Sequence, residues 1–348
     1  MKRNIILLIV LAVLLIAAWV VKLKSSSNTL ANKPLSDFAI SDTSSVNKII
    51  ITDQTGQRAT LERIPGNVLW KLNGKYFARE DAVNMILHTV NRIRIRGNIS
   101  DAARDNMMKL LVTSGKKVEL YTGGNEPAKI YYVGVPTPDH TGTIMLLEIP
   151  GIGRSEDPFI THIEGFTGFL STRFFTNENE WRYTGIFSYP DLAMRKVKII
   201  HQLQPELSLE VLYDGANHFQ LNAGYDSATG EFKRAVPQFD TVAVKNLFVQ
   251  FKKVHVESFL TNLKPEAADS IKKSLPAYSI SVESDKGIVT SVDLYLRLAA
   301  SPEYNEDGTI NPWDVGHFWA KTMDDELALA QTYNFGPLVN PLEAYLRK

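Results

Sequence analysis

Residues Trp70–Arg96, WKLNGKYFAREDAVNMILHTVNRIRIR, decide the fold. Val83, Ile86, Leu87, Val90 and Ile93 fall at i, i+3, i+4, i+7 and i+10, which is one buried stripe of an α-helix. After Arg92 the period drops to two, with Ile93 and Ile95 alternating against Arg94 and Arg96, so the chain leaves the helix as a strand. Glu80 and Asp81 stand in the first turn, where the helix dipole favours acids. The same arrangement returns in His218–Glu257, where Val244, Leu247, Phe248, Phe251 and Val254 repeat the spacing and Leu221-Asn222 stands where Leu72-Asn73 stood.

Working outward, Lys48–Thr52 is β-branched and reads as a strand, followed by Ala59–Arg63 and Val68–Leu72, with Gly/Pro/Asn turns between them. Ser100 begins a second helix that Gly115 ends. Val118–Tyr121 and Lys129–Val133 then flank a Gly-Gly-Asn turn as a hairpin. In the second half Val197–His201, Ser208–Tyr213 and His218–Leu221 match the opening strands. Asp240 is placed to cap the helix, and Lys264-Pro265-Glu266 opens the second one. Ile280–Val282 and Val292–Leu296 repeat the hairpin. The offset between copies is about 161 residues at the helix and about 162 at the hairpin, the signature of an internal repeat. Gly316–Ala320 echoes Gly142–Leu146, and Leu327–Val339 echoes Phe159–Leu170. Asn222–Gln238 reads as an insertion peculiar to the second copy. The expected fold class is α+β, two tandem copies of a strand-rich unit with two helices each.

Ile5–Val21 is an uncharged apolar run of about 17 residues, spanning ~25 Å as a helix, with Lys2 and Arg3 before it. It reads as an uncleaved N-terminal transmembrane helix, N-terminus cytoplasmic and body exported. Thr29-Leu30-Ala31 makes a poor signal-peptidase site lying too far beyond the run. The expected segments are 1–24 anchor, 25–45 polar spacer, 46–194 first repeat with an aromatic connector, and 195–348 second repeat. The connector rings Phe174, Phe175, Trp181, Tyr183, Phe187 and Tyr189 are too apolar for a free linker and are expected to pack between the repeats.

The 348 residues carry 38 basic and 38 acidic side chains and no Cys. Balance at zero removes the electrostatic footprint of a nucleic-acid binder. Without Cys there is no thiol nucleophile, disulfide framework or Cys-ligated zinc. No Walker A, GxSxG or HExxH sequence occurs, and Gly151-Ile152-Gly153-Arg154 does not join a strand to a helix. No cofactor and no reaction are therefore expected. The candidate contact residues are Asp139 and His140 in a polar loop, His162 on a strand face shared with Glu164, and Arg94 and Arg96 on a basic strand face, which reads first as an exposed edge protected by charge and, alternatively, as a contact for anionic lipid or an acidic partner. Asp324-Asp325-Glu326 reads as a solvated turn. Phe159, Phe166, Phe169, Phe174 and Phe175 form a dense group that suits a core or a partner groove.

Trp70-Lys71-Leu72-Asn73, YVGVPTPDHTGTIMLLE (Tyr132–Glu148), HIEGFTGFL and TRFFTNENEWR (His162–Arg182) resemble a family of bacterial envelope proteins of unknown function. The resemblance spans nearly all of the chain after the spacer. It implies an N-terminal anchor in the inner membrane, a duplicated periplasmic body, and partnership with other envelope proteins. Some relatives are encoded beside gliding-motility-type ABC transporter components, which implies an accessory role with such a complex. It supplies no catalytic residues. The alternative is a ligand-binding protein or enzyme that uses a cleft between the repeats.

Overall fold

The computed structural model describes residues 35–215, 218–305 and 307–347. Ile5–Val21 and the anchor assigned to it lie outside these residues; no helix among the described residues is long and apolar enough to cross a membrane. The chain divides into two units between Tyr183 and Thr184, about ten residues before the sequence-expected boundary.

The first unit holds β1 (Lys48–Thr52), β2 (Arg58–Arg63), β3 (Trp70–Leu72), β4 (Tyr76–Phe77), helix α1 (Glu80–Arg92), β5 (Ile93–Asn98), helix α2 (Asp101–Ser114), β6 (Lys116–Tyr121), β7 (Lys129–Pro136), β8 (Thr143–Ile149), β9 (Gly153–Arg154) and β10 (Phe159–Ile163). Its sheet runs β4-β3-β2-β1-β6-β7-β8-β10-β5, with β9 paired to β8.

The second unit holds β11 (Gly185–Phe187), β12 (Met194–His201), β13 (Leu209–Tyr213), β14 (Phe219–Asp226), β15 (Glu231–Val236), helix α3 (Thr241–Gln250), β16 (Val254–His255), β17 (Ser258–Phe259), helix α4 (Pro265–Lys273), β18 (Tyr278–Ser284), β19 (Val289–Tyr304), β20 (Ile310–Thr322) and β21 (Leu327–Gln331). Its main sheet runs β15-β14-β13-β12-β18-β19-β20-β21-β17. Element for element, this is the strand order of the first sheet, and neighbouring strands pair antiparallel in both. A mixed, strand-rich α+β chain with two sheets of similar size is compatible with a duplicated unit.

The register ties the periodic residues to the core. Ile49 lies opposite Leu61 and Leu120, and Val197 lies opposite Val211 and Val282. All six are fully buried. Against this layer α1 sets Val83, Ile86 and Val90, and α3 sets Val244, Leu247 and Phe248. Burying each such side chain contributes roughly 1.5–3 kcal/mol, so one helix face outweighs its weak intrinsic propensity. Asp240 caps α3 by accepting from the Val242 and Ala243 amides at 2.9 and 3.1 Å. Ser100 occupies the cap position of α2 without a side-chain cap bond. At Gly115 a Cβ would overlap the Leu111 carbonyl oxygen, so the helix ends there on the one residue that fits.

The spacer expectation is corrected, and two other readings take a definite form. The polar spacer does not reach residue 45. Phe38 and Ile40 are buried in the first core, and the Ile40 amide donates to the Val90 carbonyl at 2.9 Å. Lys129 Nζ donates to the Asp37 and Ala39 carbonyls at 2.6 Å each, and the buried Tyr131 hydroxyl donates to the Phe38 carbonyl. Tyr131→Phe leaves that carbonyl buried without its donor and is expected to cost about 1–2 kcal/mol in denaturant unfolding. Next, the connector rings divide between the two cores. Phe174 and Trp181 belong to the first core and Phe187 to the second. Finally, the Asn222–Gln238 insertion is a longer hairpin: Asn222 continues β14, which pairs with β15, whereas Asn73 turns at φ 50° between β3 and β4.

His201, at the end of β12, is buried and meets Tyr278 edge-on with ring centroids 5.1 Å apart. Burial lowers its pKa below the ordinary 6.5. The unfolded chain then takes up a proton that the folded unit resists, so stability is present above pH 6.5 and falls as the pH drops through that value. Guanidinium midpoints compared at pH 7.5 and pH 5.5 are expected to show this loss, and His201→Gln is expected to reduce it.

Candidate functional site

The loop Thr137–Gly142 joins β7 to β8. Asp139 accepts from the Thr137 hydroxyl and, at 2.6 Å, from the Thr141 hydroxyl, and it faces Arg96 Nη1 at 3.3 Å. The Thr137 and Thr141 bonds, then Arg96, hold its carboxyl well below the usual carboxylate range. His140 sits at φ 54°, its ring 5.8 Å from that of Phe169. Asp139 and Arg96 therefore meet, 43 residues apart in the chain, and His140 takes no part in their pair. The loop is a closed turn whose carboxylate is taken up by the Thr141 amide, the two threonine hydroxyls and Arg96.

His162 on β10 lies directly opposite Arg94 on β5. Arg94 turns back to the Asn91 and Ile93 carbonyls at 3.1 and 2.8 Å. With Asn91, Arg92 and Glu164 it borders a small hollow of about 200 Å³. Strand β5 is the sheet edge, where exposed arginines discourage pairing with another strand. Among the described residues no three His, Asp or Glu side chains converge as metal ligands would. Asp325 stands at φ 59° in the turn before β21 and pairs with Lys272 at 2.6 Å.

The larger concavity is one the sequence reading passed over. It lies wholly within the second unit, between α4 and the outer face of β19 and β20, and encloses about 730 Å³. Leu203, Ile271 and Leu275 form one wall; Tyr295, Leu298, Trp313 and Trp319 form the other. Arg297 is the charged side chain of the lining. Its guanidinium lies 4.7 Å from the Trp319 ring centre, and Nη1 donates to Asp314 at 2.8 Å. Asp314 is fixed in turn by the Gly316 and His317 amides at 2.8 and 3.2 Å. Burial opposes its ionisation, but the Gly316 amide and Arg297 outweigh that and keep the carboxyl below its ordinary pKa.

The first unit shows why the cleft is open. Val133 pairs with Met145 where Leu294 pairs with Ala320, so Gly134 takes the place of Tyr295 and Ile144 that of Trp319. In the first unit Leu111 of α2 packs down on Ile144 and Leu146. A Cβ at Gly134 would come within 2.7 Å of the Leu111 side chain. In the second unit a tyrosine ring fills the glycine's place, and α4 has 9 residues where α2 has 14. The helix cannot settle on the sheet, and the space stays empty.

Beyond the cleft β19 and β20 run on as a two-stranded ribbon. Their outer partners stop at Leu294 and His317, while the ribbon continues to Tyr304 and Ile310. The corresponding first-unit strands have 8 and 7 residues, against 16 and 13 here. Leu298, Tyr304, Ile310 and Val315 on it are more than half exposed.

No family model matches the sequence, and no curated protein and no solved structure matches it.

Proposed function

We propose that the chain is a non-enzymatic accessory protein of the bacterial envelope, anchored in the inner membrane by Ile5–Val21, that binds other envelope proteins through its exported body. The ABC-transporter complex named by the family resemblance is the partner this reading favours. The observation that carries it is the second-unit ribbon, whose exposed Tyr304, Ile310 and Val315 have no counterpart in the first unit. Apolar side chains gathered on a projecting element, with unpaired strand edges beside them, are the surface a protein partner covers.

The test is site-specific photocrosslinking of the full-length chain in native membranes. A photoreactive residue at Ile310 or Val315 is expected to give one discrete adduct with a membrane-complex subunit. The same residue in the exposed first-unit turn at Gly123 is expected to give none. Equal, diffuse labelling from all three positions, or topology mapping that places the C-terminus in the cytosol, would sink the reading.

A further inference from the structure

We infer that the cleft of the second unit binds a single-chain anionic amphiphile, an aliphatic chain ending in a carboxylate. The cleft reaches the base of the ribbon at Leu298 and Trp313 but does not include Tyr304, Ile310 or Val315, to which partner binding is ascribed above. About 730 Å³ lies within the ~300–1,000 Å³ range of small-ligand sites. The walls are aliphatic and aromatic along the floor, and the first unit shows what that floor accepts. At the equivalent position it is covered by Leu111, with Met107 and Met108 packed beside it. An alkyl chain lying over Trp319 and Leu298 makes the same class of contact, supplied from outside because α4 is too short to supply it.

Charge selects the head group. The residues lining the cleft include one cation, Arg297, and no carboxylate. Asp314 stands outside the lining and takes its bond from a single guanidinium nitrogen, Nη1. A guanidinium has five N–H donors in a planar fork, so it can serve a second carboxylate while the first fixes its orientation. Trp319 beneath the guanidinium holds its plane. A cationic amphiphile of the same length meets the same apolar walls and finds no carboxylate in the lining to accept its charge. A neutral alcohol forgoes the charge-assisted bonds.

The experiment uses the full chain in lipid nanodiscs and a diazirine-bearing palmitate, with adducts mapped by mass spectrometry on second-unit peptides. Labelling is expected on the segments holding Leu298 and Trp313, and about tenfold less is expected from the matching fatty alcohol. Arg297→Gln is expected to reduce palmitate labelling about tenfold, and Arg297→Lys to recover part of it. Ser274→Trp places a bulky ring at the exposed rim without entering the core and is expected to abolish labelling while leaving the thermal midpoint unchanged. Should Arg297→Gln fail to fold, the acid–alcohol comparison and Ser274→Trp decide. Equal labelling by acid and alcohol, unchanged labelling of Ser274→Trp, or adducts elsewhere in the second unit would overturn the assignment. Loss of crosslinks from Ile310 with palmitate labelling intact would remove the partner reading and leave this one standing.

Discussion

Trp181→Ala is expected to lower the stability of the first unit by about 3–5 kcal/mol, measured by guanidinium unfolding. The side chain is fully buried, and its ring lies 4.1 Å from Phe175 between centroids. Its indole N–H donates to the Phe175 carbonyl at 2.8 Å. The residue also anchors its neighbourhood. The Arg79 amide at the head of α1 donates to the Trp181 carbonyl at 2.7 Å, and the Tyr183 amide donates to the Phe77 carbonyl at 2.8 Å. Removing the ring leaves a cavity where the end of the first unit is sewn to the start of its main helix. Trp181→Phe keeps most of the volume but orphans the Phe175 carbonyl, and a smaller loss is expected. A loss below about 1 kcal/mol for Trp181→Ala would place the connector outside the first core.

Gly134→Tyr gives the first unit the residue that the second carries at the matching position, and it is expected to cost about 3 kcal/mol, the upper end of overpacking effects. Even a Cβ would approach the Leu111 side chain at 2.7 Å and the Ile144 carbonyl oxygen at 3.0 Å. The backbone there is extended and tolerates any residue, so the penalty is wholly one of space. The ring has to lift α2, exposing Ile144 and Leu146. Binding of a hydrophobic dye to Gly134→Tyr, absent from the parent chain, is the accompanying expected result. If the variant matches the parent in stability, the account of why the second cleft is open fails with it.

Much of the frame was legible because it rests on short-range periodicity. The buried faces of α1 and α3, the strand after Arg92, the stop at Gly115 and the hairpin after it all follow from residues a few places apart. What escaped depends on distant register. Arg96 and Asp139 meet because β5 docks on β10 and β10 on β8, an order that no local pattern encodes. Phe38 and Ile40 carry no period of their own, standing singly among polar residues, so their place in the core was read as spacer. The echo drawn between Gly142–Leu146 and Gly316–Ala320 is one residue out of register, since Met145 and not Leu146 matches Ala320. The cleft was hidden for a deeper reason. It arises from two small differences between units, a shorter helix and tyrosine for glycine, whose joint effect appears only once the registers are known.

The two halves of β19 live under different regimes. Within the inner half, Val292 to Leu294 have a strand on both sides; from Tyr295 outward each paired residue has one. Amide protons on the inner half exchange with solvent only when the sheet itself opens, while those beyond it are released by fraying of a single hairpin. One continuous strand thus carries a gradient of protection from the slowest class to the fastest. Whatever covers the outer half would report its arrival there as a slowing of deuterium uptake, with no change further in.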